Sequence, residues 1–469
     1  MTEPRPTELV INADLLISGV TLVTMDAERR VLADGALAIA GDRIVAVGKR
    51  ETLVRQVRAK NTLDGHRFVA APGFVDGHIH ITGDPLTRGF ARGGPEVSPS
   101  ERLSRWVIPI FRAQSAAEEA LAAQCAALAM MASGTTSFLE AGTVTHLDAV
   151  MEGLIETGVR GRVGEWVEGR AWNPADDEAA VSAAAIAALT AEIARWPDDG
   201  AARLAAWPVL VGHSTNPDAV WRAAKALADE HGLGVSAHMS PRAADPQWFL
   251  ATYNRRPVEH LADIGVLGAN VCLTHLAAID QAEAELIAET GANAILCPHA
   301  AIQGGFGLSR IGLYPEMTER GVNVALGTDG VAADILGAAR LMAGVFRDAR
   351  QDEHLYGPAA ILEMATVNGA RALGMESLIG SLEVGKKADF VLHDTDLPEW
   401  GPLFDPAAQL ALCAPARGVH SVWIDGVKVI EAGRATRIDE AKLLADARQA
   451  GAAVIARTGL PTLTTWPVQ

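Results

Sequence analysis

The chain runs to 469 residues, too long for one ordinary hydrophobic core, so two domains are expected. With 49% hydrophobic and 21% charged residues it has the balance of a globular protein and not of a disordered one. Its 57 acidic against 40 basic residues, a formal charge of −17, argue against nucleic acid and anionic membranes as partners, because both demand a basic surface.

Cysteine use and the N-terminus point to the cytoplasm. The four cysteines, Cys125, Cys272, Cys297 and Cys413, are widely spaced with no CxxC, so no disulfide framework is expected. The segment Met1–Glu8 lacks the apolar core of a signal peptide. No run reaches the roughly 18 uninterrupted apolar residues of a membrane helix.

Short alternating strands come first: Leu9–Asn12, Leu15–Ile17, Val20–Thr24, Gly35–Ala40 and Arg43–Val47, separated by Gly19, Asp34-Gly35 and Gly41-Asp42. The same texture returns at Ala388–His393 and His420–Ile430. Two such pieces flanking a stretch of different texture predict a β-sandwich built from both chain ends, residues 1–70 and 380–469, the second with a terminal helix and tail. Over residues 71–379, apolar strand-like runs alternate with Ala- and Leu-rich helical segments such as Ala116–Ala132, which predicts a parallel sheet. Eight strand candidates end near His80, Glu140, Glu165, Val211, His238, His275, Cys297 and Asp329. The expected fold class is α/β, a distorted (β/α)8 TIM barrel, whose sites lie at the C-terminal strand ends.

Several of those ends carry metal-competent side chains. The run Phe68–Val75 is bulky and apolar, as expected of a strand buried on both faces, and it leads into His78-Ile-His80. Alternate residues of a strand share a face, so the two imidazoles stand side by side, and imidazole suits zinc and other late divalent metals. His238 follows Gly234-Val-Ser-Ala, His275 follows Asn270-Val-Cys-Leu-Thr, and Asp329 follows Val322-Asn-Val-Ala-Leu-Gly-Thr. Singly, each reads as a core histidine or a turn aspartate. Jointly, five such groups on one rim read as a metal site.

At these residues the chain resembles the amidohydrolase superfamily, over nearly its whole length. The motifs are Ala71-Pro-Gly-Phe-Val-Asp-Gly-His-Ile-His80, Gly134-Thr-Thr136 and Leu326-Gly-Thr-Asp-Gly330. In the outer domain, Asp42-Arg-Ile-Val-Ala-Val-Gly48 and Gly380-Ser-Leu-Glu-Val-Gly-Lys-Lys-Ala-Asp389 look like the superfamily's two ends. The resemblance implies one divalent metal, zinc first with cobalt, manganese or iron as alternatives, held by His78, His80, His238 and Asp329. It places His275 at the edge of that shell. The fourth strand candidate, Leu204–Val211, has no lysine, so the carbamylated lysine of two-metal members has no source. The implied chemistry is hydrolysis by a metal-activated water, its pKa lowered toward about 7. Asp329 takes and returns the proton, and His275 orients the hydroxide or polarises the carbonyl.

Two departures bear on the substrate. The deaminase branch usually carries a glutamate three residues after the fifth-strand histidine, to protonate a ring nitrogen; this chain reads His238-Met-Ser-Pro241. That branch also tends to read Cys-Pro followed by Ser-Asn on strand seven, and this chain has Cys297-Pro-His-Ala-Ala301. A substrate attacked at an acyclic carbonyl tolerates both changes. The leading expectation is therefore C–N or C–S cleavage in a small urea, carbamate or thiocarbamate, as in the phenylurea and thiocarbamate (molinate-type) hydrolases. The alternative is deamination of an amino-substituted heterocycle such as an oxidised purine or s-triazine.

Candidate substrate contacts are Arg88 in the loop after strand one, Trp166 and Arg170 after strand three, and His299 after strand seven. Glu140, Glu165 and His213 lie near strand ends as possible supporting groups, and Gln303–Gly307 reads as a flexible turn fit for a lid. A small-molecule substrate and a homo-oligomer are expected, with the tail Leu460–Val468 available to wrap a neighbour.

Overall fold

A computed structural model describes residues 10–90, 97, 99–200, 202–464 and 466. The expectations for Met1–Glu8 and for the tail at Thr465 and Pro467–Val468 lie outside the described residues.

The two chain ends fold together. In order across the sheet run Arg434–Ala435, Val427–Glu431, Val419–Ile424, Phe390–Asp394, Phe68–Pro72, Ile11–Val23, Val31–Ala40 and Arg43–Lys49, with Val57–Asp64 added parallel to Ile11–Val23. Hydrogen bonding thus joins nine strands, drawn from both chain ends, in one sheet where a sandwich was expected. Phe390–Asp394 pairs antiparallel with Phe68–Pro72, and Lys387 Nζ reaches Asp42 Oδ2 at 2.6 Å. A buried layer including Ile17, Leu37, Phe390 and Trp423 fills one side, with the last two rings stacked at 4.6 Å.

Two local expectations change. The three short strands read at residues 9–24 are one strand, Ile11–Val23. Gly19 is not a turn but a bulge, with φ +85°, where an added Cβ would lie 2.5 Å from the His66 ring. Likewise Phe68–Val75 is not one strand: it divides at Gly73 into Phe68–Pro72, in the outer sheet, and Phe74–Ile79, which starts the middle domain.

That domain is α/β and TIM-barrel-like. Four parallel strands run Phe74–Ile79, Thr135–Glu140, Arg160–Val163 and Leu204–Ala206. Five more run Val209–Gly212, Val235–Met239, Val271–His275, Asn293–Leu296 and Val324–Leu326. The fourth unit is divided between the two sheets at Trp207-Pro208, and proline has no N–H to continue the ladder. Opposite that break, the Asp329 N–H donates to the His78 carbonyl at 2.9 Å, so the first and eighth strands adjoin without a formal ladder. Nearly all these strand residues are buried, as expected of strands covered by helices on the outer face.

Helices are set by local signals. Ser115 caps Ala116–Ala132, with Glu118 returning a bond to the Ser115 N–H at 2.8 Å. The terminal helix Glu440–Thr458 lies against the middle domain, where Arg457 donates to the Ala113 carbonyl and Gly451 passes so close to Leu86 that a Cβ would sit 2.1 Å from its oxygen. Between domains, the buried Arg160 on the third strand bonds the buried Asp389 at 2.9 and 3.2 Å and the half-buried Asp425 at 2.5 Å. Among the described residues no helix is long and apolar enough to cross a membrane.

Candidate metal centre

Five strand-end side chains converge. One donor atom each from His78, His238, His275 and Asp329 lies within 4.8 Å of the others. His80 joins them through Nε2, 2.9 Å from Asp329 Oδ1. His78 Nε2 stands 3.5 Å and His275 Nε2 4.0 Å from the same carboxylate. The rings of His78 and His238 meet edge to face at 4.7 Å, and those of His80 and His238 stack at 5.4 Å.

Neighbouring groups orient these rings. His238 Nδ1–H donates to the Val211 carbonyl at 2.9 Å; a carbonyl only accepts, so Nε2 keeps its lone pair. His78 Nδ1 hydrogen-bonds Thr274 Oγ1 at 2.9 Å, while its Nε2 is buried with no hydrogen-bond partner. The close packing depends on Gly327, where a Cβ would lie 2.8 Å from both Cys297 Sγ and His78 Cβ. His213, His275 and Asp329 hold φ of +52°, +83° and +58°, left-handed values that non-glycine residues adopt at a cost.

Charge states suit a cation. Burial lowers the pKa of His78 and His238 and takes His275 to about 3, so the three imidazoles are neutral at pH 7. Burial alone would raise Asp329, but the close approach of the His78, His80 and His275 imidazoles holds it well below the usual carboxylate range. Neutral imidazole nitrogens and an ionised carboxylate form the donor set that a divalent cation takes.

The four substrate candidates divide. Trp166 lines a pocket of about 200 Å³ with Ile108, Phe111, Arg112, Thr143 and Thr145, and Phe111 lies 6.5 Å from both the Trp166 and the His80 ring. His299 is half-buried on the helix Pro298–Gln303, with Nδ1 lacking a partner. Arg88 lies elsewhere: it is exposed in a groove with Cys125, Leu128, Glu440 and Arg448 that contains none of the five strand-end groups. Arg170 is already committed, donating to the Ser214 carbonyl at 2.6 Å, to Glu178 at 3.3 Å and to Tyr253 at 3.3 Å while stacked over Trp248. Glu140 caps its own loop through Gly142 and Thr143 N–H groups.

Other participants went unread in the sequence. Asp76, buried between the motif residues, accepts the His78 N–H and both Thr328 donors; burial pushes its carboxyl up to about 7. A charged residue inside an apolar strand was the available signal. Asp245 holds His213 Nδ1 at 2.5 Å, and that imidazole stacks 5.6 Å from His238. Over the predicted lid turn, Phe306 meets the His275 ring at 5.4 Å and carries the Arg242 guanidinium 4.6 Å above its face.

Comparison with known proteins agrees with this geometry. Residues 69–429 match the amidohydrolase family. The 5-methylthioadenosine/S-adenosylhomocysteine deaminase of Syntrophobacter fumaroxidans is 32% identical over 430 residues, covering 89% of this chain and 93% of that protein. The crystal structure of a zinc-bound adenosine deaminase from Xanthomonas campestris superposes with a TM-score of 0.85 at 27% identity, over 95% of this chain and all of that one. Zinc-bound atrazine chlorohydrolase from Arthrobacter aurescens TC1, at 21% identity and a TM-score of 0.78 over 93% of this chain and all of that one, shares the fold. A specific likeness to phenylurea or thiocarbamate hydrolases does not emerge. The chain is an enzyme of the amidohydrolase family.

Proposed function

We propose that this enzyme is a metal-dependent aminohydrolase, exchanging the exocyclic amino group of a nitrogen heterocycle for a carbonyl oxygen with release of ammonia. The observation that carries this reading is the 32% identity to a 5-methylthioadenosine/S-adenosylhomocysteine deaminase over 89% of the chain. It reverses the order of the two readings drawn from sequence and favours an amino-purine ring over a urea or thiocarbamate.

His78, His80, His238 and Asp329 would hold one divalent cation, zinc in the first instance. The buried, unpartnered Nε2 of His78 and the Nε2 lone pair of His238 fit that role. Such a cation supplies Lewis acidity that lets water react at neutral pH. Asp329, ionised and within reach of the imidazoles of His78, His80 and His275, accepts the water proton and delivers it to the departing amine. His275, neutral and on the same rim, orients the attacked carbon's substituents by hydrogen bonding. Phe111 and Trp166 form an apolar wall beside His80 against which a flat ring can lie. His299 offers a further polar contact.

Hydrolysis at an acyclic carbonyl stays as the second reading because Pro241 stands where deaminases usually carry a proton-shuttling glutamate. Without that group, Asp329 handles both proton transfers. The deciding experiment incubates the zinc-loaded enzyme with 5-methylthioadenosine, S-adenosylhomocysteine, adenosine and an s-triazine, and separately with phenylureas and thiocarbamates. Ammonia from the first group supports deamination. Amine or thiol from the second group, with no ammonia from the first, reverses the assignment.

A further inference from the structure

At the metal centre, His238 is oriented by the Val211 carbonyl and His78 by the Thr274 hydroxyl, each through Nδ1. His275 differs. Its Nδ1 is buried and, among the described residues, has no hydrogen-bond partner. Its Nε2 stands 4.0 Å from Asp329 Oδ2, beyond hydrogen-bond reach. The backbone is fixed, because the Tyr314 hydroxyl donates to the His275 carbonyl at 3.1 Å. What is left is the ring torsion, which in histidine is broad and weakly set by intrinsic preference. At metal sites an acceptor for the second ring N–H ordinarily sets it. Here packing takes that part. We propose that Phe306 and Arg242 are positioning residues that together fix the His275 imidazole.

The Phe306 and His275 rings meet edge to face, with centroids 5.4 Å apart and planes at 86°. Turning the imidazole about Cβ–Cγ would drive one ring into the other, so the contact opposes rotation. Phe306 is itself held from above. The Arg242 guanidinium lies 4.6 Å from its centroid, and Arg242 Nη2 donates to the Gly304 carbonyl. The turn below is tied to the preceding helix, with the Phe306 N–H donating to the Ala301 carbonyl at 2.9 Å and the Gly304 N–H to the Ala300 carbonyl at 2.7 Å. Phe306 can fold back over residue 304 because that residue is glycine: a Cβ there would lie 2.3 Å from the phenyl ring. Arg242 follows the fifth strand of the barrel-like domain, His275 ends the sixth and Phe306 follows the seventh. The three side chains thus join neighbouring strand ends, and Arg242 acts on the imidazole through the phenyl ring. In the aminohydrolase reading, on which the kinetic part of this inference rests, the fixed ring is the one that orients the attacked carbon's substituents.

The first measurement needs no substrate: crystal structures of the zinc-loaded full chain and of its Phe306→Leu, Arg242→Met and Phe306→Tyr variants. The parent and Phe306→Tyr, which keeps the aromatic face, should show one orientation of the His275 ring. In Phe306→Leu and Arg242→Met the ring should turn by about 30° or more, or occupy two orientations. The parental orientation kept in Phe306→Leu overturns the role of Phe306, and kept in Arg242→Met it overturns that of Arg242. The second measurement is turnover of 5-methylthioadenosine. Phe306→Leu and Arg242→Met should each lower kcat about tenfold, the worth of one aromatic contact, and change KM by less than about threefold. Neither should slow His275→Asn any further, because residues that act through one side chain are not additive. An equal fall in the His275→Asn background would mean that the pair touches substrate directly, and it overturns the inference. No ammonia from the parent overturns the aminohydrolase reading instead, and the ring orientation then decides alone.

Discussion

Asp76 reaches from the first strand of the middle domain to the eighth, where Oδ1 accepts the Thr328 N–H at 3.1 Å and Oδ2 accepts the Thr328 hydroxyl at 2.5 Å. Oδ1 also takes the His78 N–H at 3.1 Å. One buried carboxyl therefore fixes the backbone of His78 and the residue before Asp329. Groups that orient ligands in this way typically tune metal affinity by 10–100-fold. Asp76→Asn keeps one oxygen but turns an NH2 toward the Thr328 donors, so zinc affinity is expected to fall by about that factor with secondary structure unchanged. Competition with a chelating dye measures it, and unaltered affinity would remove Asp76 from the site.

Asp329→Asn should fold as the parent does, because the side chain keeps its size and one acceptor oxygen. It loses the anion that the surrounding imidazoles hold ionised. Turnover is expected to fall by about 10²–10⁴-fold, the usual worth of positioned proton transfer. Metal content is measured on the same sample, so that loss of ion and loss of base are told apart. A variant that retains zinc and near-parental turnover contradicts the proton-transfer role.

The strand ends were legible because each apolar run is short and stops on a polar residue, and the barrel-like order turns that stop into a position on one rim. The predicted ends at Glu140 and His275 coincide with observed ones, and five candidate side chains are drawn together from four segments. Features decided by distant partners were not legible. Val57–Asp64 is a largely polar segment that becomes a strand only by pairing with Ile11–Val23. Gly19 carries the same letter in a bulge as in a turn. The order of the sequence places Arg88 and Arg170 near the rim, but the competing oxygens of Ser214, Glu178 and Tyr253, and the groove beside Cys125, decide where the two guanidiniums go.

Removing the metal should uncouple stability from activity in a recognisable order. A cation bound only by the folded state stabilises it by about 2.7 kcal/mol at a free concentration one hundred times Kd. Chelation is therefore expected to abolish turnover and lower the melting temperature, and added zinc to restore both. Identical melting curves with chelator and with excess zinc would mean that the five converging side chains hold no ion.

Glu192 gives a pH-dependent prediction away from the metal centre. It lies on the helix Glu178–Arg195, 1% exposed, with Oε2 accepting the Glu165 N–H at 3.2 Å and Oε1 unpartnered. Burial raises its pKa to about 8, with the Glu165 N–H opposing and the Glu165 charge adding to the rise. In the unfolded chain a glutamate titrates near about 4.3. The folded state thus binds the proton more tightly, so this contribution to stability is whole below about pH 4 and lost as pH climbs toward about 8, at up to ~1.4 kcal/mol per unit. Glu192→Gln keeps the shape and has no proton to lose. Relative to that variant, the parent should melt at progressively lower temperature between pH 5 and pH 9, a window taken from the two pKa values. Parallel melting profiles across that range would mean that Glu192 is solvated or paired in a way that the 1% exposure and the orphaned Oε1 do not indicate.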